Sequence, residues 1–305
     1  MPIFPRPDSA LLVEAILRTV AYEDVFDYPL TAGEIHRLLS GARASPEQVQ
    51  AVLQNDAPLS FTGGFYTLPG REELAELRCR REQDSARLWQ QARRYGRMAA
   101  RLPFVRMLGV TGSLAMNNVD GEADVDLLVV SAAGRLWTCR ALVLLLARLA
   151  ALEEVGLCPN YLVSEQSLVF QDRTLYTAHE LVQMVPLFGL DVYARMRRLN
   201  RWTERFLPNV NEEPPAGPFA LAGQDRHALA NGMAWLEAGL RSQPGAWFER
   251  WEMERKIRTL TRQQGDSPEA CFSADLCKGH KDRHAQQTER SFRQRLARLA
   301  LEPEL

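Results

Sequence analysis

The sequence lacks an apolar run long enough to cross a bilayer, and it lacks an excess of either charge. The most apolar stretch, residues 141–152 (ALVLLLARLAAL), contains Arg148 and is shorter than the roughly 20 residues of a membrane-spanning helix. The 37 Lys and Arg residues are balanced by 38 Asp and Glu residues, giving a formal net charge of -1. This balance excludes a uniformly basic protein that coats nucleic acid, so any nucleic-acid contact would be local.

Cysteine is also scarce. The 5 cysteines in 305 residues are odd in number and widely spaced, unlike the dense, even sets of disulfide-stabilised proteins. The first twenty residues contain prolines and acids where a signal peptide needs a basic stretch and an apolar core. We therefore expect a cytoplasmic protein without a membrane segment, and the chain length predicts about two folded units.

Residues 1–70 show the order helix, helix, helix, hairpin. Thr31 and Glu34 have the spacing of a capping box, and Ser45 precedes a proline at the first position of a third helix. Gly63-Gly64 separates two β-rich segments and favours a tight turn. This order predicts a winged-helix-like domain over residues 1–70.

The charge of this domain disfavours DNA binding. Residues 1–70 contain eight acids and four arginines, and the third helix has no basic residue, whereas phosphate contacts supply much of the affinity for DNA. We interpret the domain as a scaffold or a docking site for a protein partner. A winged-helix protein that binds DNA remains the alternative.

Residues 71–101 predict one long connecting helix, since no proline interrupts them. Between Arg78 and Arg106 the sequence has nine arginines and only two acids. One interpretation is a solvated helix face with acids early and arginines late, as the helix dipole prefers. The alternative is that residues 78–106 contact RNA.

The segment after this helix contains residues suited to phosphate chemistry. Residues 105–110 and 124–130 predict two strands, the second continuously apolar after Asp126 and therefore inside a sheet. Asp124 and Asp126 share one face of that strand, roughly 7 Å apart, where a divalent cation would offset their repulsion. Gly112-Ser113 ends the first strand, and its backbone N–H and hydroxyl suit a phosphate.

The pattern of Gly112-Ser113 followed by Asp124-Val125-Asp126-Leu127 resembles the signature of the DNA polymerase β-like nucleotidyltransferase superfamily. The resemblance implies an α/β (α+β) core with a mixed sheet over residues 102–185. It implies that Gly112 and Ser113 hold the phosphates of a nucleoside triphosphate, while Asp124 and Asp126 bind Mg²⁺ or Mn²⁺. An acceptor, which is a small molecule, a protein or RNA, would then take the nucleoside monophosphate as pyrophosphate leaves.

The family also has a third carboxylate on a later strand, and here the sequence departs from it. Asn160 occupies the matching position and coordinates metal only weakly, without accepting a proton. Glu165 or Asp172 would substitute if the expected hairpin, with strands over residues 158–164 and 167–172, has another register. The departure leaves a rival interpretation, a regulator or pseudoenzyme that binds nucleotide without transferring it.

Two further residues have open assignments. Arg140, near the start of the helix after the aspartate strand, is a candidate for binding the triphosphate, with a surface salt bridge as the alternative. His179 begins a helix for which Thr177 is the expected cap, and we interpret this lone histidine as structural.

Residues 186–305 predict a C-terminal helical domain with helices near 224–240 and 246–263. Cys271, Cys277, His280 and His284 raise the question of a zinc site, although the first gap is longer than is usual. The alternative is that Lys278, His280, Lys281 and Arg283 supply cations near the phosphates.

Overall fold

The computed structural model describes residues 9–121, 123–210, 236–264, 270–279 and 284–302. The first part of the chain forms three helices, a 3-10 turn and a hairpin. Their bounds are α1 Ser9–Glu23, the 3-10 turn Asp24–Phe26, α2 Ala32–Arg37, α3 Pro46–Asn55, β1 Ser60–Thr62 and β2 Phe65–Thr67, with β1 and β2 antiparallel. The expected order of elements is confirmed.

Capping fixes where two of these helices begin. Glu34 N donates to Thr31 Oγ1 at 3.2 Å, and Thr31 N donates to Glu34 Oε2 at 2.9 Å. Ser45 and Gln48 make the same reciprocal pair at the start of α3. Both predicted caps are confirmed, each satisfying two backbone donors that the first helical turn leaves open.

The expected connecting helix is confirmed as α4, Leu74–Ala100. Several of its arginines are engaged by carboxylates. Arg78 donates to Glu34 at 2.8 Å and lies over the Tyr28 ring at 3.9 Å, which attaches the helix to the N-terminal unit. RNA binding by residues 78–106 remains a prediction.

The core is a mixed sheet of β3 Val105–Val110, β4 Val125–Ser131, β5 Leu157–Ser164, β6 Val185–Phe188, β7 Cys271–Phe272 and β8 Leu276–Lys278. The strand order is β6-β3-β4-β5-β8-β7. Strands β4 and β5 are parallel, and the other neighbours are antiparallel. The chain is therefore a mixed α/β protein, consistent with the expected α+β class.

Two expectations about this sheet are wrong: that residues 167–172 form a strand, and that residues 186–305 are wholly helical. Residues 167–172 form no strand, because the backbone of Leu168 and Phe170 bonds to the Asn200 side chain at 2.7 and 2.8 Å rather than to β5. The neighbour of β5 is instead β8. The sheet thus extends past residue 185 into the region expected to be wholly helical.

Helices cover both faces of the sheet. The remaining ones are α5 Gly112–Ala115, α6 Leu136–Ala151, α7 Leu175–Gln183, α8 Leu190–Leu199, the 3-10 turn Arg201–Arg205, α9 Gln243–Gln264 and α10 His284–Arg298. Trp89 of α4 and Trp137 of α6 are buried on one face, and α7 and α8 pack against Leu128 and Val130 on the other. Helix α9 confirms the prediction for 246–263. Of the helix predicted over 224–240, residues 236–240 are helical and residues 224–235 lie outside the described residues.

Helix α10 returns to the start of the chain. Phe292 meets Tyr22 of α1 edge-on at 5.3 Å, and Arg295 donates to Asp24 at 2.6 Å. Within the described residues, we find no helix both long and apolar enough to span a bilayer.

Candidate functional site

The alternation of β4 determines where its aspartates lie. Leu128 and Val130 pack toward α7 and α8, and side chains two residues apart share a face of a strand. Asp126 therefore lies on the face covered by α7, while Asp124 directly precedes the strand. Both aspartates line a cavity of about 670 Å³.

This cavity brings together most of the residues that the sequence singled out. Gly112, Ser113, Asp124, Asp126 and Asn160 all line it. The prediction that these separated positions are neighbours is confirmed.

Gly112 is required by the way the chain passes the second aspartate. Its φ is +66°, in the left-handed region, and a Cβ there would lie 2.5 Å from Asp126 Oδ2. Thr111 N also donates to the Asp126 carbonyl at 3.0 Å. Any other residue at position 112 would be strained and would push the Asp126 carboxylate aside.

A second glycine makes room for the first aspartate. A Cβ on Gly156 would overlap Asp124 Oδ1, and Val125 N donates to the Gly156 carbonyl at 2.8 Å. The sequence drew no attention to Gly156. Its lack of a side chain lets Asp124 lie against the backbone that leads into β5.

Asn160 lies beside Asp126, at the position expected for a third acid. Its Nδ2 donates to Asp126 Oδ1 at 3.1 Å. Cys158 and Asn160 are two residues apart on β5, so both side chains lie on one face, and both line the cavity. Asn160 thus acts on the aspartate as a hydrogen-bond donor.

Two carboxyl groups in this cavity, Asp126 and Glu180, have raised pKa values. Burial and the nearby charge of Asp124 raise the pKa of Asp126 to about 6, against opposing effects from Cys158 and His284. Burial and the charge of Asp126 raise the pKa of Glu180, on α7, to about 7, although Lys278 acts in the opposite direction. Burial is the largest cause of both shifts, and the charge of a neighbouring carboxylate adds to it.

Sequence reasoning missed Glu180 as a site residue. The helix that carries it was expected, but its cap is Thr174 rather than Thr177: Thr177 N donates to Thr174 Oγ1 at 3.2 Å. No local pattern shows that this helix crosses the face of β4. The cavity therefore holds a third carboxylate on a helix and not on a strand.

The donor set of the cavity fits a magnesium ion better than zinc. Asp124 and Asp126 supply carboxylate oxygens, which Mg²⁺ prefers, and this ion usually keeps water and phosphate among its ligands. Within the described ranges, no group of three or more His, Cys, Asp or Glu residues has the arrangement of a metal site. Two protein carboxylates suit an ion that a bound triphosphate helps to hold.

The residues considered for zinc are dispersed in the described part of the chain. Cys277 is buried in the main core, Cys271 is exposed, and His284 lines the cavity. His280, Lys281 and Arg283 lie outside the described residues. Lys278 forms an ion pair with Asp172 at 2.8 Å.

Three other candidates lie away from the cavity. Arg140 is on α6, on the sheet face opposite to α7, where it hydrogen-bonds Cys277 and lies 5.8 Å from the Trp137 ring. Glu165, at the far end of β5, accepts from Ala133 N at 3.1 Å. These positions do not support the expectation that Arg140 reaches the site. They also do not support the substitution of Glu165 or Asp172 for Asn160.

The N-terminal unit supplies one wall of the cavity. Tyr22, Glu23, Phe26 and Tyr28 line it. Tyr22 stacks on His179 of α7, with 4.0 Å between ring centroids. We interpreted this unit from its charge as a scaffold or docking site, and no pattern in residues 1–70 indicates which of its surfaces meets the sheet.

No protein-family model, curated protein or solved structure matches the chain. The resemblance to polymerase β-like nucleotidyltransferases therefore stays a prediction from the motif residues.

Proposed function

We propose that this protein is a nucleotidyltransferase with a polymerase β-like core, which transfers a nucleoside monophosphate from a nucleoside triphosphate to an acceptor and releases pyrophosphate. One observation carries the proposal: the Gly112-Ser113 turn, Asp124 and Asp126 line a single cavity. The close approach of Gly112 to the Asp126 carboxylate makes the turn and the aspartates one local arrangement. If the turn and the two acids were neighbours only by chance, the backbone of the turn would not have to lie so close to the Asp126 carboxylate.

The turn is suited to phosphate oxygens. A glycine with positive φ exposes the backbone, and Ser113 adds a hydroxyl that donates to an anion. Asp124 and Asp126 are the residues that would hold Mg²⁺ or Mn²⁺. When bound, such an ion would stabilise the negative charge on the triphosphate and on the leaving pyrophosphate.

Glu180 is the group best suited to take the proton of an acceptor hydroxyl. Asn160 cannot accept that proton, whereas a carboxylate with a pKa of about 7 is matched to proton transfer near neutral pH. Asn160 holds Asp126 through its Nδ2 donor. On this assignment the proton acceptor of the site comes from α7, and β5 supplies only positioning.

The test is pyrophosphate release from each of the four nucleoside triphosphates, with Mg²⁺ or Mn²⁺ and with cell extract as the source of acceptor. We expect Asp124→Asn and Asp126→Asn each to lower release by about a thousandfold or more, a loss typical of a missing electrostatic group at the reaction centre. Asp120→Asn is the matched control, because the Asp120 side chain is 82% exposed. It should leave release unchanged.

A second candidate function, a nucleotide-binding regulator, is favoured by Asn160 in place of an acid. It predicts calorimetric binding of a nucleotide that requires Asp124 and Asp126, without release of pyrophosphate. If neither binding nor release depends on the two aspartates, both candidates are wrong.

A further inference from the structure

Helix α6 exposes a row of leucines on the side that faces away from the sheet. Its inner side is buried in the main core, whereas Leu145 and Leu149 are 53% and 51% exposed and Leu152, which caps the end of the helix, is 81% exposed. Side chains three and four residues apart are neighbours on a helix surface, so the three leucines form one apolar row. Contiguous apolar side chains in solvent mark a surface that interacts with a partner.

Helix α9 lies beside α6 and exposes two tryptophans. Glu249 accepts from Trp137 N at 2.9 Å and from Thr138 N at 2.7 Å, which attaches α9 to the start of α6. Trp247 and Trp251 are 60% and 44% exposed, and they stack with 6.1 Å between ring centroids. Each is two residues from Glu249, a rotation of about 200° around the helix. The two indole rings therefore lie on the outer side of α9.

The exposed charge around these apolar side chains is mostly basic. Helix α6 contains two arginines and no acid, and α9 contains five Lys and Arg residues and three glutamates. Two of those glutamates, Glu249 and Glu252, are only 7% and 4% exposed. The exposed arginines of the two helices are Arg148, Arg250, Arg255, Arg258 and Arg262, and the exposed acids of α9 and of the turn after α6 are Glu153, Glu154 and Glu254. These arginines, the three leucines and the two tryptophans are called the α6–α9 surface below.

The cations of the two helices are close enough to repel one another. Burial and the charge of Arg255 lower the pKa of Lys256, to which Arg140 and Arg148 of α6 add, while Glu252 acts in the opposite direction. A bound anionic group would offset this repulsion. The α6–α9 surface thus combines exposed apolar side chains with cations that an anionic partner would neutralise.

We propose that the α6–α9 surface docks on a bilayer that contains anionic lipids. The leucines and tryptophans enter the boundary between head groups and acyl chains, where tryptophan is favoured, and the arginines bind the lipid phosphates. Attachment of this kind needs no helix that crosses the bilayer. Because Asp126 lies on the opposite sheet face, which α7 covers, the docked protein keeps its aspartates away from the lipid.

The same surface fits other partners less well. Single-stranded RNA is bound by cations and by aromatic rings that stack on bases, and a row of exposed leucines adds to neither contact. A second copy of the chain in a symmetric dimer would place the surface against itself, which brings the arginines of both copies together. A bilayer with anionic lipids accommodates both the apolar row and the positive charge.

The first experiment measures flotation of the protein with two kinds of vesicle, phosphatidylcholine alone and equal parts of phosphatidylcholine and phosphatidylglycerol. We expect binding to the mixed vesicles to be tighter by about tenfold or more, and to weaken as salt is added. Leu145→Gln/Leu149→Gln should weaken this binding by about tenfold or more, because two leucines no longer leave water for lipid. Urea unfolding of this variant should match that of the wild type, since both side chains are half exposed.

The matched control changes two leucines of similar exposure on the other side of the sheet. Leu190 and Leu199 of α8 are 43% and 45% exposed, and α8 packs on the face opposite to α6. Leu190→Gln/Leu199→Gln should bind the mixed vesicles as the wild type does. Equal binding by the two double variants, or no binding of the wild type to the mixed vesicles, overturns the proposal.

The second experiment needs no leucine variant. Mixed vesicles with brominated acyl chains should quench the tryptophan fluorescence of the wild type, and Trp247→Phe/Trp251→Phe should lose most of this quenching. Bound protein without quenching would show that the surface does not enter the lipid and would overturn the proposal. So would tighter binding to total RNA than to the vesicles, or a stable dimer in sedimentation velocity that Leu145→Gln/Leu149→Gln dissociates.

Discussion

Two neighbouring acids at the end of α1 have opposite surroundings. Asp24 accepts from Arg71 Nε at 3.1 Å and from Arg295 Nε at 2.6 Å, so that two guanidinium groups hold one carboxylate. Glu23, one residue earlier, meets His179 and Gln183, and the described residues give it no arginine or lysine partner. The first acid joins parts of the fold, and the second faces the cavity.

The same contrast separates other carboxylates in the molecule. Glu34 pairs with Arg78, whose charge and hydrogen bond help to lower its pKa despite burial. Asp126 and Glu180 have raised pKa values, because burial outweighs the compensation they receive, and because Asp124 repels the charge of Asp126 and Asp126 repels that of Glu180. Negative charge left uncompensated in a cavity is a mark of functional sites, where a ligand supplies the missing partner.

Removing the acid that two arginines hold should have the largest effect on stability. We expect Asp24→Asn to lower the free energy of unfolding by about 3 kcal/mol, because Arg71 and Arg295 lose their shared counter-charge in a mostly buried setting. Urea unfolding at neutral pH measures this change. A variant as stable as the wild type would contradict the structural role of Asp24.

Removing an acid of the cavity should change stability in the opposite direction. The folded-state pKa of Asp126, about 6, is above its ordinary value of 3.8, so folding penalises its charged form above pH 6 and has no such penalty below pH 4. Asp126→Asn should therefore raise the free energy of unfolding by about 1 to 3 kcal/mol at pH 8 in the presence of a chelator. Urea unfolding at pH 8 should show the gain, and it should vanish at low pH; a loss of stability at pH 8 would contradict the electrostatic account.

Two glycines offer a matched pair for the Asp126 contact. Gly112 has φ +66° and Gly134 has φ +63°, but only Gly112 has an atom within 4 Å of its hypothetical Cβ. Each change to alanine should cost about 1 kcal/mol through the left-handed backbone. Only Gly112→Ala should also abolish pyrophosphate release, so equal activity of the two variants would argue against a positioning role for the turn.

The smallest effect is expected at a solvated ion pair. Arg94 and Glu153 bond to each other with about half of each side chain exposed. Glu153→Gln should leave the urea unfolding midpoint almost unchanged, because solvent and salt screen an exposed ion pair, and added salt should reduce any difference further. A loss comparable to that of Asp24→Asn would show that exposure does not govern these ion pairs.

The sequence predicted the local features of the fold because each depends on a short pattern. The caps at Thr31 and Ser45, the uninterrupted α4 and the adjacency of Gly112 to the aspartates follow from spacing within a few residues to a few turns. Asn160 was also placed beside the aspartates, through the motif. The structure places these caps, this helix and these site residues where the short patterns predicted them.

The parts that were missed depend on contacts between distant segments. Strand β8 joins β5 across more than a hundred residues, and Asn200 draws the backbone of Leu168 and Phe170 away from that strand. Glu23 and Glu180 become neighbours of Asp126 only because α1 and α7 meet at one end of the sheet. No periodicity or motif indicates which helix covers which face of the sheet. For this reason Arg140 was assigned to the site and Glu180 was not.

The position of β8 and α10 late in the chain has a consequence for synthesis on the ribosome. Strand β5 keeps an open edge until residues 276–278 emerge, and α10 can bring Arg295 to Asp24 only after that. A nascent chain halted earlier would present the exposed strand edge that promotes aggregation. The cavity is therefore complete only after Gly279 and His284 have been made, and chains halted before them carry the motif residues without the enclosed space around them.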